Sequence, residues 1–286
     1  MIEQSDLDSG QQEPVFKRAV VAAAFSPRLT AVLNESHRLL RMLGSWPIIV
    51  HAGEETAAQR VKLEEAIDKS NFKEHPPICV VRNGQPAEVL IEAAKEYNAD
   101  LIVAGALKKE GFLKYYLGSV ARSIARHAPC SVLLLTEPQV KPEPYQKIHC
   151  AVEYDDEARL AVQVAVNIAR EVGTRDLYFT HSFRIPELAD KKVPEPNAKK
   201  IRAIFKHEDD QLKSFVDEIA SGEINYQTRC LLEKNRATTL EFTREILADL
   251  FIVHGPRGRL GLWDRLFPQQ IELALQNLPC AMLMTR

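Results

Sequence analysis

Two stretches of this sequence combine glycines with basic side chains in a way that could hold an anion, and the first adds hydroxyls. The first, Gly105 to Val120, reads GALKKEGFLKYYLGSV. It follows the apolar run Leu101-Ile102-Val103-Ala104 and leads into a helical pattern from Val120 to His127. A glycine-bearing loop between a strand and a helix start suits an anion, because the backbone can approach closely and the first helical N–H groups lack partners. Ser119 serves there either as a helix cap or as a hydrogen-bond donor to phosphate, and a cap with a tight turn and no ligand is the other reading. Lys108, Lys109 and Lys114 make the loop positive, which favours an anion electrostatically, but a solvated loop surface is the simpler reading of them. The second stretch runs from Gly255 to Gln269, with Gly255, Gly258 and Gly261 among Arg257, Arg259 and Arg265. It ends in Pro268-Gln269, so a backbone N–H and a hydroxyl are missing where the first stretch has Gly118-Ser119. Leu262, Trp263, Leu266 and Phe267 have the spacing of a packed amphipathic turn.

Catalytic patterns find little support. The eight histidines include His51 and His181 at equivalent second-strand positions, which read as satisfied strand-end residues. No histidine pair has ligand spacing, and neither a G-x-S-x-G elbow nor a P-loop occurs. The five cysteines are odd in number and never spaced as C-x-x-C, so neither a disulfide framework nor a zinc site is expected. With 37 Lys and Arg against 39 Asp and Glu, the formal charge of −2 carries no basic surplus for nucleic acid. No apolar run approaches the ~18 residues that span a membrane, and residues 1–14 are polar and read as a disordered tail. The expected location is cytoplasmic.

The elements that must position these loops occur twice. The 286 residues, 45% of them hydrophobic, suffice for about two domains. One half ends in APCSVLLLTE and the other in LPCAMLMTR, which sets Cys130 against Cys280; ICVVRNG against RCLLEKN sets Cys79 against Cys230 and Gly84 against Asn235. The expected organisation is a domain over residues 15–137, a proline-rich linker over 138–146 and a second domain over 147–286. Within each half the order strand, helix, strand repeats to a fifth strand, which favours a parallel sheet with helices on both faces. The first half places strands near Ala19–Ala24, Pro47–Ala52, Ile78–Arg82, Leu101–Ala104 and Val132–Leu135. The second places them near Ile148–Val152, Asp176–His181, Asn225–Leu232, Phe251–Val253 and Ala281–Met284. Residues Phe183 to Pro196 read as a surface loop.

The pattern G-x2-G-x9-G-[S/T], followed by a helix, His127-Ala128-Pro129-Cys130 and an apolar strand, resembles the nucleotide loop of the universal stress protein family. The upstream segment from Asn83 to Gly105, NGQPAEVLIEAAKEYNADLIVAG, is also similar to that family. The resemblance implies an α/β fold of two tandem Rossmann-like domains of the adenine nucleotide alpha hydrolase type. Each would hold a five-stranded parallel sheet with helices on both faces, and the two would pack as an intrachain pseudo-dimer. In the family the last strand pairs two subunits, which implies contact between the two closing strands here and leaves another surface for any homodimer. The implied ligand is an adenine nucleotide, ATP or AMP, with Mg2+ accompanying ATP.

The positions this resemblance marks in the first half are Ala24, Ser26, Ala52, Gly105, Lys108, Gly111, Gly118, Ser119 and Val120. In the second half they are Glu153, Asp155, Ser182, Gly255, Gly258, Gly261 and Gln269. Several depart from the family pattern: Ala24 stands where an aspartate is expected, Lys108 where a glycine is, and Pro268-Gln269 where Gly-Ser is. Glu153 restores a carboxylate in the second half, although acidic residues before a helix also simply cap it. The implied role is stress response or regulation. It would be exercised by weak nucleotide binding mainly through the first half, by contact with a protein partner with both sites decayed, or by slow ATP hydrolysis.

Overall fold

The computed structural model describes residues 14–106, 118–174, 176–189, 197–220, 224–233, 235–255 and 269–286. The first half runs β1 (Arg18–Ala22), α1 (Leu29–Met42), β2 (Trp46–Ala52), α2 (Ala57–Asp68), β3 (Ile78–Arg82), α3 (Pro86–Glu96), β4 (Leu101–Gly105), α4 (Ser119–His127) and β5 (Ser131–Leu135). The second runs β6 (Lys147–Ala151), α5 (Asp156–Val172), β7 (Asp176–Phe183), α6 (Pro186–Ala189), α7 (Ala198–Ala220), β8 (Gln227–Leu232), α8 (Thr238–Glu245), β9 (Leu250–His254), α9 (Gln269–Gln276) and β10 (Ala281–Thr285). The predicted strands are present, with ends displaced by up to two residues, and a helix precedes each later strand of either half. Unexpected are a 3-10 turn at Asn71–Glu74 and the structure at the start of the expected loop, where Phe183 completes β7 and α6 forms one turn at Pro186–Ala189; residues 190–196 of that loop lie outside the described residues.

All ten strands form one sheet in the order β3-β2-β1-β4-β5-β10-β9-β6-β7-β8. Every pairing is parallel except β5 with β10, where Leu134, Leu133 and Val132 face Met282, Leu283 and Met284 in antiparallel register. The contact expected between the closing strands is thus a hydrogen-bonded strand pair. It covers two apolar edges that would otherwise template association.

Strand alternation sends side chains into two cores. Ala19, Val21, Ile49, Val103, Cys150, Phe179 and Ile252 face a layer covered by α1, α2, α5 and α7. Val20, Ile48, Val50, Ile102, Val132 and Met282 face a layer covered by α3, α4, α8 and α9. Both clusters run through both halves, and each fully buried Val or Ile contributes about 1.5–3 kcal/mol.

The duplication is visible bond by bond. Asp100 Oδ2 accepts from the N–H groups of Lys17 and Arg18 at 2.7 and 3.1 Å, and Asp249 Oδ2 accepts from those of Gln146 and Lys147 at 2.8 and 2.9 Å. Asn98 and Leu247, the residues after α3 and α8, share left-handed backbone at φ 48° and 54°. This register corrects two sequence pairings. His51 faces Val81 and His181 faces Cys230, so Cys230 corresponds to Val81 rather than to Cys79. The same register sets Gly84, whose φ is +141°, against Glu233 rather than Asn235; the Asn235 Oδ1 accepts from Ala237 N at 2.7 Å and opens α8. Cys130 and Cys280 do correspond, each directly preceding a closing strand.

Candidate ligand site at the ends of β6 and β9

In a parallel sheet the crevice opens at the carboxyl ends of the strands where the winding reverses, here between β1 and β4 and between β6 and β9. At the first of these, Ala24 and Ser26 are exposed and Ala52 is half-buried. Between them Phe25 lies over the His51 ring at 3.9 Å, with Lys62 Nζ 4.3 Å above Phe25. His51 Nδ1 bonds the Ala23 carbonyl at 2.7 Å, as expected of a satisfied strand-end histidine. Arg28 donates to Ala106 O at 2.8 Å and Thr136 O at 2.6 Å, closing the ends of β4 and β5.

Gly105 ends β4, and a Cβ there would meet Val32 at 3.1 Å. Gly118 holds the N-cap position of α4, so Ser119 is the first helical residue rather than the cap; Ser119 and Val120 are both exposed. The loop's Lys108 and Gly111 lie outside the described residues, as do Gly258 and Gly261 in the other half.

The second crevice contains a cavity of about 430 Å3. Its floor is apolar, formed by Leu240, Phe251, Val253, Ile271 and Ala274, and Glu153, Glu233, Arg184, Arg236 and His254 ring it. Arg184 holds Glu233 in a two-pronged ion pair at 2.6 and 2.7 Å. Glu153 follows β6, half-exposed, with His181 Nδ1 3.8 Å from its carboxylate. Burial pushes the Glu153 carboxyl above its ordinary range; Asp155 and Glu233 add to this, while His181 and His254 oppose it.

Asp155 caps α5 by accepting from Ala158 N at 2.8 Å and lies 3.5 Å from His254 Nε2. Its capping role is therefore real, and His254 links it to the cavity that Glu153 lines. Tyr154 stacks on His181 at 4.2 Å, and His181 Nδ1 bonds Val152 O at 2.8 Å, repeating the Phe25–His51–Ala23 arrangement. Ser182 Oγ lies 2.7 Å from Thr239 Oγ1, and Thr239 lines the cavity. Gln269 begins α9.

Gly255 does not occupy the place of Gly105. Ala106 N bonds Leu135 O and Gly255 N bonds Thr285 O, both at 2.8 Å, so Gly255 matches Ala106 and His254 matches Gly105. A Cβ on Gly255 would sit 2.8 Å from Met284 Cγ, a packing reason for the glycine apart from any ligand. His254, Thr239 and Arg236 escaped sequence reasoning. Counting from Asp100 and Asp249, instead of matching glycine to glycine, would have found His254. Among the described residues no group of three His, Cys, Asp or Glu side chains converges as a metal site, and no helix is long and apolar enough to cross a membrane.

Residues 8–136 match the profile of the Universal stress protein family. A universal stress protein of Methanocaldococcus jannaschii is 32% identical over 97 residues, 34% of this chain and 55% of that protein. Universal stress protein E of Escherichia coli K12 is 32% identical over 77 residues, 27% of this chain and 22% of that protein. The matched segments therefore span about half of the archaeal relative and less than a quarter of the bacterial one.

Among solved structures, a functionally unknown protein of Pseudomonas aeruginosa PAO1 has a TM-score of 0.71 at 15% identity, over 94% of this chain and 92% of its own. A universal stress protein of Archaeoglobus fulgidus has a TM-score of 0.69 at 13% identity, over 96% and 99%. These likenesses show the fold, one α/β layer plan along nearly the whole chain. Residues 8–136 of this chain are thus similar to the universal stress protein family, and the fold likeness extends along nearly the whole chain.

Proposed function

We propose that this protein is a tandem universal stress protein, with domains at residues 15–137 and 147–286 and a linker at 138–146, that serves stress response or regulation by binding an adenine nucleotide. The observation that carries this reading is the cavity between β6 and β9, an apolar slot with the Glu153 carboxylate at its mouth. A planar base fits an apolar floor, and a carboxylate at the rim accepts hydrogen bonds from ribose hydroxyls. Phosphate is served unequally. Pro268-Gln269 lacks one N–H and one hydroxyl, which costs roughly 2–4 kcal/mol toward a triphosphate, or about one to three orders of magnitude in affinity.

The second half therefore favours adenosine or AMP over ATP. The first half, with Gly118-Ser119 opening α4 but Ala24 in place of a carboxylate, favours the phosphate end of ATP or AMP, with Mg2+ accompanying ATP. The role proposed is ligand-dependent regulation in the cytoplasm, not catalysis. Native mass spectrometry of the purified full chain tests it: a bound adenine compound supports the reading. Failure of adenosine, AMP and ATP alike to be carried or to raise the melting temperature overturns it.

A second reading, regulation through a protein partner, is favoured by Trp46. This side chain is 59% exposed beside an apolar recess that includes Leu40, Pro47 and Phe72. An exposed aromatic that shares an apolar recess, unlike one scattered singly, is the kind of surface that takes a partner.

A further inference from the structure

Five positions set the cores of the two halves apart. The shared register places Val20 opposite His149 in the repeat, Val50 opposite Thr180, Ala94 opposite Thr243, Leu90 opposite Thr239 and Ala52 opposite Ser182. The matching bonds are Ala23 N to Val50 O against Val152 N to Thr180 O, and Ala99 N to Ala94 O against Ala248 N to Thr243 O. The first half fills these places with aliphatic side chains; the second fills them with one imidazole and four hydroxyls.

The polar set is connected. His149 is fully buried, its Nδ1 2.8 Å from Thr243 Oγ1 and its Nε2 2.8 Å from Thr180 Oγ1. Thr243 donates its single hydroxyl proton to Thr239 O at 2.8 Å. Nδ1 must then carry the imidazole proton and donate to Thr243 Oγ1, which leaves Nε2 to accept from Thr180. The ring is neutral and both its nitrogens are satisfied. The chain continues through Thr239, which lies on the cavity wall with its own hydroxyl 2.7 Å from Ser182 Oγ. Only one proton of that hydroxyl pair is used between them.

The first half shows that this fold closes with Val, Val and Ala where the second has His149, Thr180 and Thr243, so the fold does not require the polar network. A buried polar network adds little net stability over well-packed aliphatic groups, and what it adds is a fixed geometry. The geometry it fixes here is that of α8 where Thr239 meets the cavity. Around Thr239 the floor is apolar: Leu240, Phe251, Val253, Ile271 and Ala274. One locked hydroxyl in an apolar slot is suited to reading the hydrogen-bonding edge of a flat heteroaromatic ring.

We infer that Thr239, steadied by Ser182, is the residue that reads the base edge of the ligand in the second half, and that His149, Thr180 and Thr243 are positioning residues for it. This rests on the reading of the cavity as an adenosine site. The test is calorimetric titration of adenosine into the full chain, with folding checked by far-ultraviolet dichroism. Thr239→Val weakens adenosine binding about tenfold, the value of one hydrogen bond of the stronger kind. Thr239→Ser restores it to within about twofold. The triple change His149→Val, Thr180→Val, Thr243→Ala, which installs the first half's residues, keeps the fold and also weakens adenosine. Wild-type affinity in Thr239→Val, or equal losses in Thr239→Ser and Thr239→Val, overturns the inference while leaving the adenosine reading in place. Absence of adenosine binding in the wild-type chain overturns both.

Discussion

His149 makes this protein acid-labile in a way that can be separated from every other titrating group. Its imidazole is fully buried, and burial lowers its pKa to about 3, against an ordinary value near 6.5. In the unfolded chain the ring protonates as pH falls below about 6.5, while in the folded chain it stays neutral down to about 3. The unfolded state thus binds the extra proton, and stability is full above about 6.5 and lost as pH falls. One proton corresponds to about 1.4 kcal/mol per pH unit, so the loss between pH 6.5 and 4.5 approaches about 2.7 kcal/mol from this residue. The assay is urea unfolding of the wild type and of the triple variant His149→Val, Thr180→Val, Thr243→Ala at pH 7.5, 6.5, 5.5 and 4.5. Carboxylates titrate in both proteins, so the difference between the two curves isolates His149. The difference should be flat above pH 6.5 and then shift toward the variant by roughly 1 kcal/mol or more per unit. Parallel curves across that range would refute the burial of a neutral His149.

Two further outcomes follow from the junction of the halves and from the first phosphate loop. Arg286 extends from β10 to donate to the Ala125 and Ala128 carbonyls at the end of α4, and its backbone N–H bonds Ser131 Oγ at 3.1 Å. Arg286→Ala should destabilise the chain by about 2–4 kcal/mol, at roughly 1–2 for each charge-assisted bond to a helix end, read as a lowered urea midpoint; a loss below about 0.5 kcal/mol contradicts the helix-capping account. The double change Gly118→Pro, Ser119→Ala should remove ATP binding at the first half while leaving adenosine titration of the second unchanged, and unaltered ATP binding would count against any role for that helix start.

The architecture was legible because apolar runs such as Ala19–Ala24 and Leu101–Ala104 are short, continuous and separated by helical periods, as strands buried on both faces must be. The pairing of β5 with β10 was legible for a different reason: two bare apolar edges in one chain have each other as the nearest cover. Register was harder to read. Matching cysteine to cysteine set Cys79 against Cys230, but hydrogen bonding sets Cys230 in the place of Val81. Matching glycine to glycine hid His254, because Gly255 owes its lack of a side chain to the approach of Met284.

The candidate site was half visible. Glu153 and Asp155 stood out as acidic residues before a helix; Glu153 lines the cavity, and Asp155 lies 3.5 Å from His254, which lines it too. His149 could not be recognised as part of anything, since its partners Thr180 and Thr243 lie 31 and 94 residues away. Only the folded register brings a strand-centre imidazole against two hydroxyls on different elements.

On the function proposed, the slot between β6 and β9 takes up adenosine with Glu153 at the ribose. Calorimetric titration of AMP into the full chain and into its Glu153→Ala variant addresses this most directly. AMP should bind the wild type and bind the variant at least about tenfold more weakly, since a carboxylate accepting ribose hydroxyls supplies charge-assisted bonds. Equal AMP affinity in the two proteins would contradict it.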